Sequence, residues 1–214
     1  MKKKFLALAL VSAMTMALVA CGSDTAATSE SASDDAAASE EVVAETETDD
    51  AATDGEAGFT EIPIFEDVEL DFINLSAVYF QPVPMQSETQ NISAEDFDLH
   101  LEADISALEN DLGYGVGDWV PYLTVDYLVA DTDGNEVVSG TFMEMAASDG
   151  PHYGANIKLD PGTYDLTLTI HSPGENGYLI HSDSETGPGG SLAEAFADGN
   201  IVYTYEGWDF PGLE

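Results

Sequence analysis

The sequence predicts an all-β fold, an antiparallel β-sandwich, over residues 61–214. This part of the chain contains several short runs rich in β-branched and aromatic residues, which are the residue types that favour strands. Gly, Pro, Asn and Asp separate the runs, and no long stretch repeats its apolar residues at helical spacing. Short alternating strands joined by tight turns are typical of two packed antiparallel sheets.

The clearest strand covers residues 98–108, where apolar residues alternate strictly with polar ones. His100 and Glu102 lie two residues apart, so their side chains project from the same face of this strand, opposite to its apolar face. Similar patterns predict the other elements. They are strands at 68–83, 121–130, 136–146, 156–159, 162–172 and 201–206, with one helical turn at 193–197.

The strand at 136–146 leads into a turn and then a histidine. Met143 and Met145 share one face of the strand, and the turn Asp149-Gly-Pro151 precedes His152. Glycine tolerates positive φ and proline fixes φ, so this sequence favours a turn. A thioether and an imidazole beside one turn form half of a candidate metal site.

The loop Asp131-Thr-Asp-Gly-Asn135 has some features of a calcium-binding loop. An EF-hand loop that begins at Asp131 requires a glutamate at its twelfth position. That position is Phe142. The loop is therefore predicted to be a hairpin turn.

The N-terminal segment predicts export and lipidation. Lys2, Lys3 and Lys4 precede a short apolar run that ends in Leu18-Val-Ala-Cys21, which resembles a bacterial lipobox. We expect a lipoprotein signal peptide at 1–20, with Cys21 lipidated as the new N-terminus. Residues 21–60 carry small and acidic side chains and almost no large apolar ones, a composition that predicts a disordered acidic linker.

The charge of the mature chain excludes one class of partner. Loss of the signal peptide leaves Lys158 as the single cationic side chain against 42 acidic residues. Without a cationic surface the protein cannot displace the counterions of a nucleic acid, so no nucleic-acid partner is expected. A field of this sign attracts cations instead.

The candidate ligands define the chemistry of the site. The chain has four histidines, and its single cysteine is assigned to lipid. Imidazole and thioether donors suit copper, whereas imidazole and carboxylate donors suit ferrous iron or manganese. A blue-copper carrier needs a thiolate and is therefore excluded. Neither the Gly-x-Ser-x-Gly motif of hydrolases nor a phosphate-binding glycine loop is present.

Several segments together resemble the bacterial periplasmic ferrous-iron transport protein family, whose members accompany iron permeases and bind copper and iron-like ions. The resemblance covers about residues 61–209. Its landmarks are Glu61-Ile-Pro-Ile64, Ala77-Val-Tyr-Phe-Gln-Pro82, His100-Leu-Glu-Ala-Asp-Ile105, Gly117-Asp-Trp-Val-Pro-Tyr-Leu-Thr124, Gly140-Thr-Phe-Met-Glu-Met145, Ser148-Asp-Gly-Pro-His-Tyr-Gly154 and Glu185-Thr-Gly187. The resemblance implies an immunoglobulin-like sandwich that forms a homodimer, with the metal site near the dimer interface.

The resemblance also implies a set of metal ligands. His100, His152 and His181 match family histidines, and Met145 matches the second methionine of the family's Met-x-Met segment. These residues would bind copper, and Glu102 would join them when the ion is iron-like. The remaining histidine, His171, has no counterpart. The chain departs from the family around His181, where Ile180 replaces a basic residue and Gly187-Pro-Gly-Gly-Ser191 replaces a segment with an aromatic residue.

These observations predict a membrane-anchored extracytoplasmic protein that binds copper and ferrous iron and supports iron uptake through a permease. It would be held on the outer face of the cytoplasmic membrane and would not be an enzyme. Two alternatives come from other functional classes: a surface adhesion or structural immunoglobulin-like module, and a copper-dependent iron oxidoreductase.

Lipidation can be tested directly. Cys21→Ala is expected to move the protein from the membrane to the soluble fraction, because no other part of the mature chain is apolar enough to anchor it. Fractionation followed by immunoblotting measures this. The strain should lack iron permeases, so that persistent membrane retention of the variant contradicts the prediction.

Overall fold

The computed structural model describes residues 60–213, which form two antiparallel sheets and a small hairpin. The five-stranded sheet has the order β1 (Ile62–Leu70), β2 (Ile73–Phe80), β5 (Leu99–Ala107), β9 (Pro151–Ile157) and β8 (Met143–Ala146). The four-stranded sheet has the order β11 (Ile201–Phe210), β10 (Gly162–His171), β6 (Thr124–Asp131) and β7 (Glu136–Thr141). The hairpin consists of β3 (Met85–Gln86) and β4 (Asn91–Ile92).

The antiparallel sandwich predicted from the sequence is confirmed, and its architecture is immunoglobulin-like. A 3-10 helix at Pro173–Asn176 and a single helical turn at Leu192–Ala195 are the helical elements of the described residues. No helix in this part of the chain is long and apolar enough to cross a membrane. The predicted signal peptide at 1–20 and nearly all of the predicted linker at 21–60 lie outside the described residues.

The core lies between the two sheets and follows the predicted alternation. On β5, Leu99, Leu101 and Ile105 are almost completely buried, and Leu166 and Leu168 of β10 meet them from the other sheet. Burial of side chains of this size contributes about 1.5–3 kcal/mol each. The inner face of the five-stranded sheet therefore forms one side of the core. Its outer face does not contribute to the packing between the sheets.

Two of the predicted strands are each divided in the structure. Residues 68–83 cross from β1 to β2 through a tight turn, where Asp71 has a left-handed φ of 49°, a conformation that aspartate tolerates better than most residues. Residues 136–146 divide at Phe142, which is buried and stacks on Tyr127 at a ring separation of 4.8 Å. The chain passes from one sheet to the other at Phe142, and this brings β8 beside β9.

Strand β9 begins earlier than the sequence predicts. It starts at Pro151, so His152 lies inside the strand and not in the loop before it. Because β8 and β9 are antiparallel neighbours, Met145 is the direct partner of His152, and Met143 that of Gly154. By contrast, the Asp131 loop is a hairpin turn between β6 and β7, as predicted.

Tyr153, which faces inward between His152 and Gly154, ties β9 to the segment before β6. Its hydroxyl donates to the Val120 carbonyl at 2.9 Å and accepts from the Leu123 amide at 3.0 Å. Tyr153→Phe should lower the free energy of unfolding by about 1–3 kcal/mol, because it leaves two buried backbone groups unpaired. Urea denaturation measures this. Copper affinity should stay unchanged, since the hydroxyl points away from the outer face. A variant as stable as the wild type would contradict a stabilising role of these two hydrogen bonds.

Candidate metal centre

The outer face of the five-stranded sheet holds a buried cluster of ligand-type side chains. His100 and Glu102 lie two residues apart on β5, and His152 lies on the adjacent strand β9. One ligand atom from each of the three lies within 4.8 Å of the others. Glu102 Oε1 is 3.4 Å from His152 Nδ1, and Glu102 Oε2 is 3.9 Å from His100 Nε2. The exposed fractions of the three residues are 0%, 3% and 4%, so the cluster is shielded from water.

Met145 joins this cluster through the strand pairing. Residues directly opposite each other in an antiparallel pair point to the same face with their Cβ atoms about 5 Å apart, and Met145 is the partner of His152. Both residues line a cavity of about 1300 Å³, together with His100 and Glu102. The structure therefore places His100, Glu102, Met145 and His152 on one surface.

The side chain of Asn156 decides which nitrogen of His100 faces the cluster. Asn156 Nδ2 donates to the Val83 carbonyl at 2.7 Å, and Asn156 Oδ1 accepts from the Val83 amide at 3.3 Å. This pairing fixes the orientation of the amide. Its Oδ1 also lies 2.9 Å from His100 Nδ1, so Nδ1 must carry the proton. His100 Nε2 is left with a lone pair directed towards Glu102, which is the arrangement of a metal-ligating imidazole.

His100 Nε2 is buried and has no hydrogen-bond partner among the described residues. An unsatisfied buried acceptor is unfavourable by about 1–3 kcal/mol, and a metal ion would satisfy it. Burial lowers the pKa of His100 to about 4, with Asn156 opposing and His152 adding to this shift. The imidazole is therefore neutral at physiological pH, as a metal ligand must be. Burial likewise lowers the pKa of His152.

The pKa of Glu102 shifts in the opposite direction, because Glu102 is buried beside other carboxyl groups. Burial, together with the charges of Asp104, Glu61 and Asp149, raises the pKa of Glu102 to about 9. At neutral pH the Glu102 carboxyl holds a proton and the two histidines are neutral, so their contacts are not ion pairs. A cation that coordinated the Glu102 carboxylate would have to displace this proton. Glu61, Glu102 and Asp149 also form a second group whose oxygens lie within 4.8 Å of one another.

His181 lies apart from the other predicted ligands. It is exposed in the loop after the 3-10 helix and does not belong to either ligand group of the described residues. Thr186 donates its hydroxyl to Asp183 and lies 2.8 Å from His181 Nδ1. Thr186 therefore accepts from Nδ1, which leaves Nε2 of His181 with the lone pair.

His171 belongs to neither ligand group of residues 60–213. It lies on the four-stranded sheet, where His171 Nε2 contacts Asp126 Oδ2 at 2.9 Å and Nδ1 contacts Asn200 Nδ2 at 3.1 Å. Both ring nitrogens are thus engaged.

Sequence reasoning missed two residues that shape the centre, Asn156 and Gly154. A Cβ atom on Gly154 would lie 2.6 Å from His100 Nε2, so any other residue would collide with the imidazole. A glycine inside a strand often marks such a close approach, so Gly154 could have been identified from the sequence. The role of Asn156 had no comparable signal, because its partner Val83 is 73 residues away in the chain.

The sequence and the fold both match known proteins. The family model described as Fe2+ transport protein matches residues 58–212 of this chain. The chain belongs to this family. A 34 kDa membrane antigen of Treponema pallidum is 44% identical over 156 residues, which is 71% of this chain and 76% of the antigen.

Two solved structures of copper-bound proteins share the fold. A copper-bound variant of FetP from uropathogenic Escherichia coli strain F11 is 42% identical, covers 72% of this chain and 100% of its own, and has a TM-score of 0.64. The copper-reconstituted P19 protein of Campylobacter jejuni is 36% identical, covers 72% of this chain and 99% of its own, and also has a TM-score of 0.64. The likeness to known proteins thus extends from the sequence to the three-dimensional fold.

The raised pKa of Glu102 predicts an unusual pH dependence. Between about pH 4.5 and 9 the native metal-free protein holds a proton that the unfolded chain has released. This group therefore makes the native state less stable as the pH rises through this window. Glu102→Gln, which removes the titrating group, should become progressively more stable than the wild type from pH 6 to pH 9. Urea unfolding in the presence of a chelator measures this, and parallel pH profiles of the two proteins would contradict it.

Proposed function

We propose that this protein is a membrane-anchored, extracytoplasmic carrier that binds copper and ferrous iron and supports iron uptake through a permease. The observation that carries the proposal is the buried lone pair of His100 Nε2, which has no hydrogen-bond partner within residues 60–213 and faces Glu102 and His152. A buried lone pair without a partner is unfavourable, and a bound cation would satisfy it. Membership of the Fe2+ transport protein family supports the same conclusion.

Copper would be held by nitrogen and sulfur. His100 Nε2 and His152 supply neutral imidazoles, and Met145 supplies a thioether from the partner position of His152. This donor set, without thiolate, suits copper. The copper-bound structures of FetP and P19 support the proposal.

Ferrous iron, with manganese as its mimic, would use oxygen ligands. Glu102 belongs both to the histidine group and to the carboxylate group with Glu61 and Asp149. Harder ions prefer oxygen donors, so an iron-like ion would draw Glu102 into coordination and displace its proton. The acidic surface of the protein raises the local concentration of cations around this site.

His181 would come from a second copy of the chain. Within one chain His181 is exposed and lies outside the ligand groups, yet its Nε2 has the lone pair that a ligand needs. In a homodimer, which we propose, the exposed loop of one protomer can reach the metal centre of the other. A shared site of this kind would link metal binding to association.

The lipid on Cys21 would hold this dimer on the outer face of the cytoplasmic membrane, beside the permease that receives the iron. The name of the Treponema pallidum membrane antigen supports an envelope location. We propose binding and delivery, and not catalysis. Redox cycling of iron by the copper-loaded protein would instead favour an oxidoreductase, and purified protein that binds no metal would favour an adhesion module.

Single substitutions test the ligand set. His100→Ala, Met145→Ala, His152→Ala and His181→Ala should each weaken copper binding at least ~10-fold, about 1.4 kcal/mol. His171→Ala is the matched control, because both nitrogens of His171 are engaged elsewhere, and it should leave the affinity nearly unchanged. Glu102→Ala should weaken manganese binding more than copper binding. Titration of each purified variant with Cu(II) and Mn(II) measures these effects.

The sharing of the site can be tested by complementation. A mixture of His100→Ala and His181→Ala proteins forms mixed dimers in which one of the two sites has all of its ligands. High-affinity copper binding should reappear on mixing, at up to one site per mixed dimer. If mixing restores no copper binding while both variants remain folded and dimeric, the ligand is not shared between protomers.

The single substitutions have their own contradicting outcome. If His171→Ala weakens copper binding and His181→Ala does not, the ligand assignment is wrong.

A further inference from the structure

Met143 lies beside the candidate metal centre. Neither the family resemblance nor the similarity to FetP and P19 has so far given this residue a role. It is two residues before Met145 on β8, so both thioethers point to the same face of the sheet. Like Met145, it is only partly buried and lines the cavity that contains His100 and Glu102. The core of the sandwich lies on the other face of this sheet. Packing in the core therefore does not account for a methionine at this position.

The neighbours of Met143 leave a path from its sulfur to the cluster. Its direct partner on β9 is Gly154, whose partner on β5 is Glu102. The strands β5 and β8 are two inter-strand spacings apart, about 9.6 Å. Between them Gly154 contributes no side chain, and the imidazole of His100 lies over it. A flexible Met143 can therefore extend from β8 towards His100.

Backbone conformation does not explain the glycine at this position. Gly154 is not among the residues with positive φ, so a larger residue could adopt its backbone angles. The reason is space, because a Cβ atom here would lie 2.6 Å from His100 Nε2 and 3.1 Å from Cε1. Gly154 thus lets the imidazole of His100 lie over the residue that pairs with Met143.

We propose that Met143 is a second thioether ligand, which engages when the bound copper is reduced to Cu(I). The inference rests on the proposed copper-binding function. Cu(I) is a soft ion that prefers thioether and thiolate ligands, and the alternating residues Met143 and Met145 present two sulfurs to one ion beside His152. Reduction adds one electron from an external one-electron donor to Cu(II), and no ligand is oxidised. Met143 then determines how strongly the site favours the reduced state.

The test compares Met143→Leu with the wild type in the full-length protein. Leucine is close to methionine in volume, so the variant should fold, and a thermal melt verifies this. Cu(I) affinity is measured by competition with a chromogenic Cu(I) chelator under ascorbate, and Cu(II) affinity by competition with a Cu(II) chelator. Met143→Leu should weaken Cu(I) binding at least ~10-fold and Cu(II) binding less than ~3-fold. Each tenfold difference between the two effects lowers the reduction potential by about 59 mV.

Two control variants make the result specific. Met85→Leu removes a methionine that lines the same cavity but lies on the β3–β4 hairpin, and it should change neither affinity. Met145→Leu should weaken the binding of both copper ions. X-ray absorption of the Cu(I)-loaded proteins should show two sulfur ligands in the wild type and one in Met143→Leu.

The possible failures are distinguishable. A wild-type protein that binds neither copper ion overturns the proposed function itself. A wild type that binds both ions, with Cu(I) affinity unchanged in Met143→Leu, overturns the role of Met143 alone. One sulfur ligand in Cu(I)-loaded wild type has the same consequence.

Discussion

The geometry of the candidate metal centre depends on the side-chain amide of Asn156. Through three hydrogen bonds it joins the backbone of Val83, in the segment that follows β2, to His100 Nδ1 in the middle of the sheet. The bonds to Val83 orient the amide, the amide determines the tautomer of His100, and the tautomer directs a lone pair into the cavity. In a buried site such bonds are strong, and each one restricts the next. The same contact also holds the chain before the β3–β4 hairpin against the outer face.

Strand β5 serves two purposes at once because its side chains alternate. Leu99, Leu101 and Ile105 point into the core, while His100 and Glu102 point to the opposite face. A shift of one residue in its pairing would place both ligands in the core and the leucines in the metal centre. The stability of the sandwich and the geometry of the centre therefore depend on the same register.

Electrostatics favours a cation at this centre. Burial opposes charge on the histidines and also on Glu102, and the surrounding Asp104, Glu61 and Asp149 oppose ionisation of Glu102 further. Removal of these polar side chains from water is costly when their hydrogen-bonding atoms stay unpaired, as His100 Nε2 does. A divalent cation would bind the lone pair of His100 Nε2 and would displace the proton of Glu102. The cluster is thus poorly satisfied as a purely structural element and well suited to a metal.

The sequence by itself determined the all-β class, the faces of the strands and the types of ligand available. Local alternation carries this information, as the burial of Leu166 and Leu168 and the common face of His100 and Glu102 show. Tertiary structure decided which of these side chains meet. Met145 reaches His152 because the chain changes sheets at Phe142 and returns as a hairpin, and Asn156 meets Val83 across 73 residues. These pairings depend on long-range strand order, which no local pattern encodes, and the separation of His181 from the cluster follows from the same order.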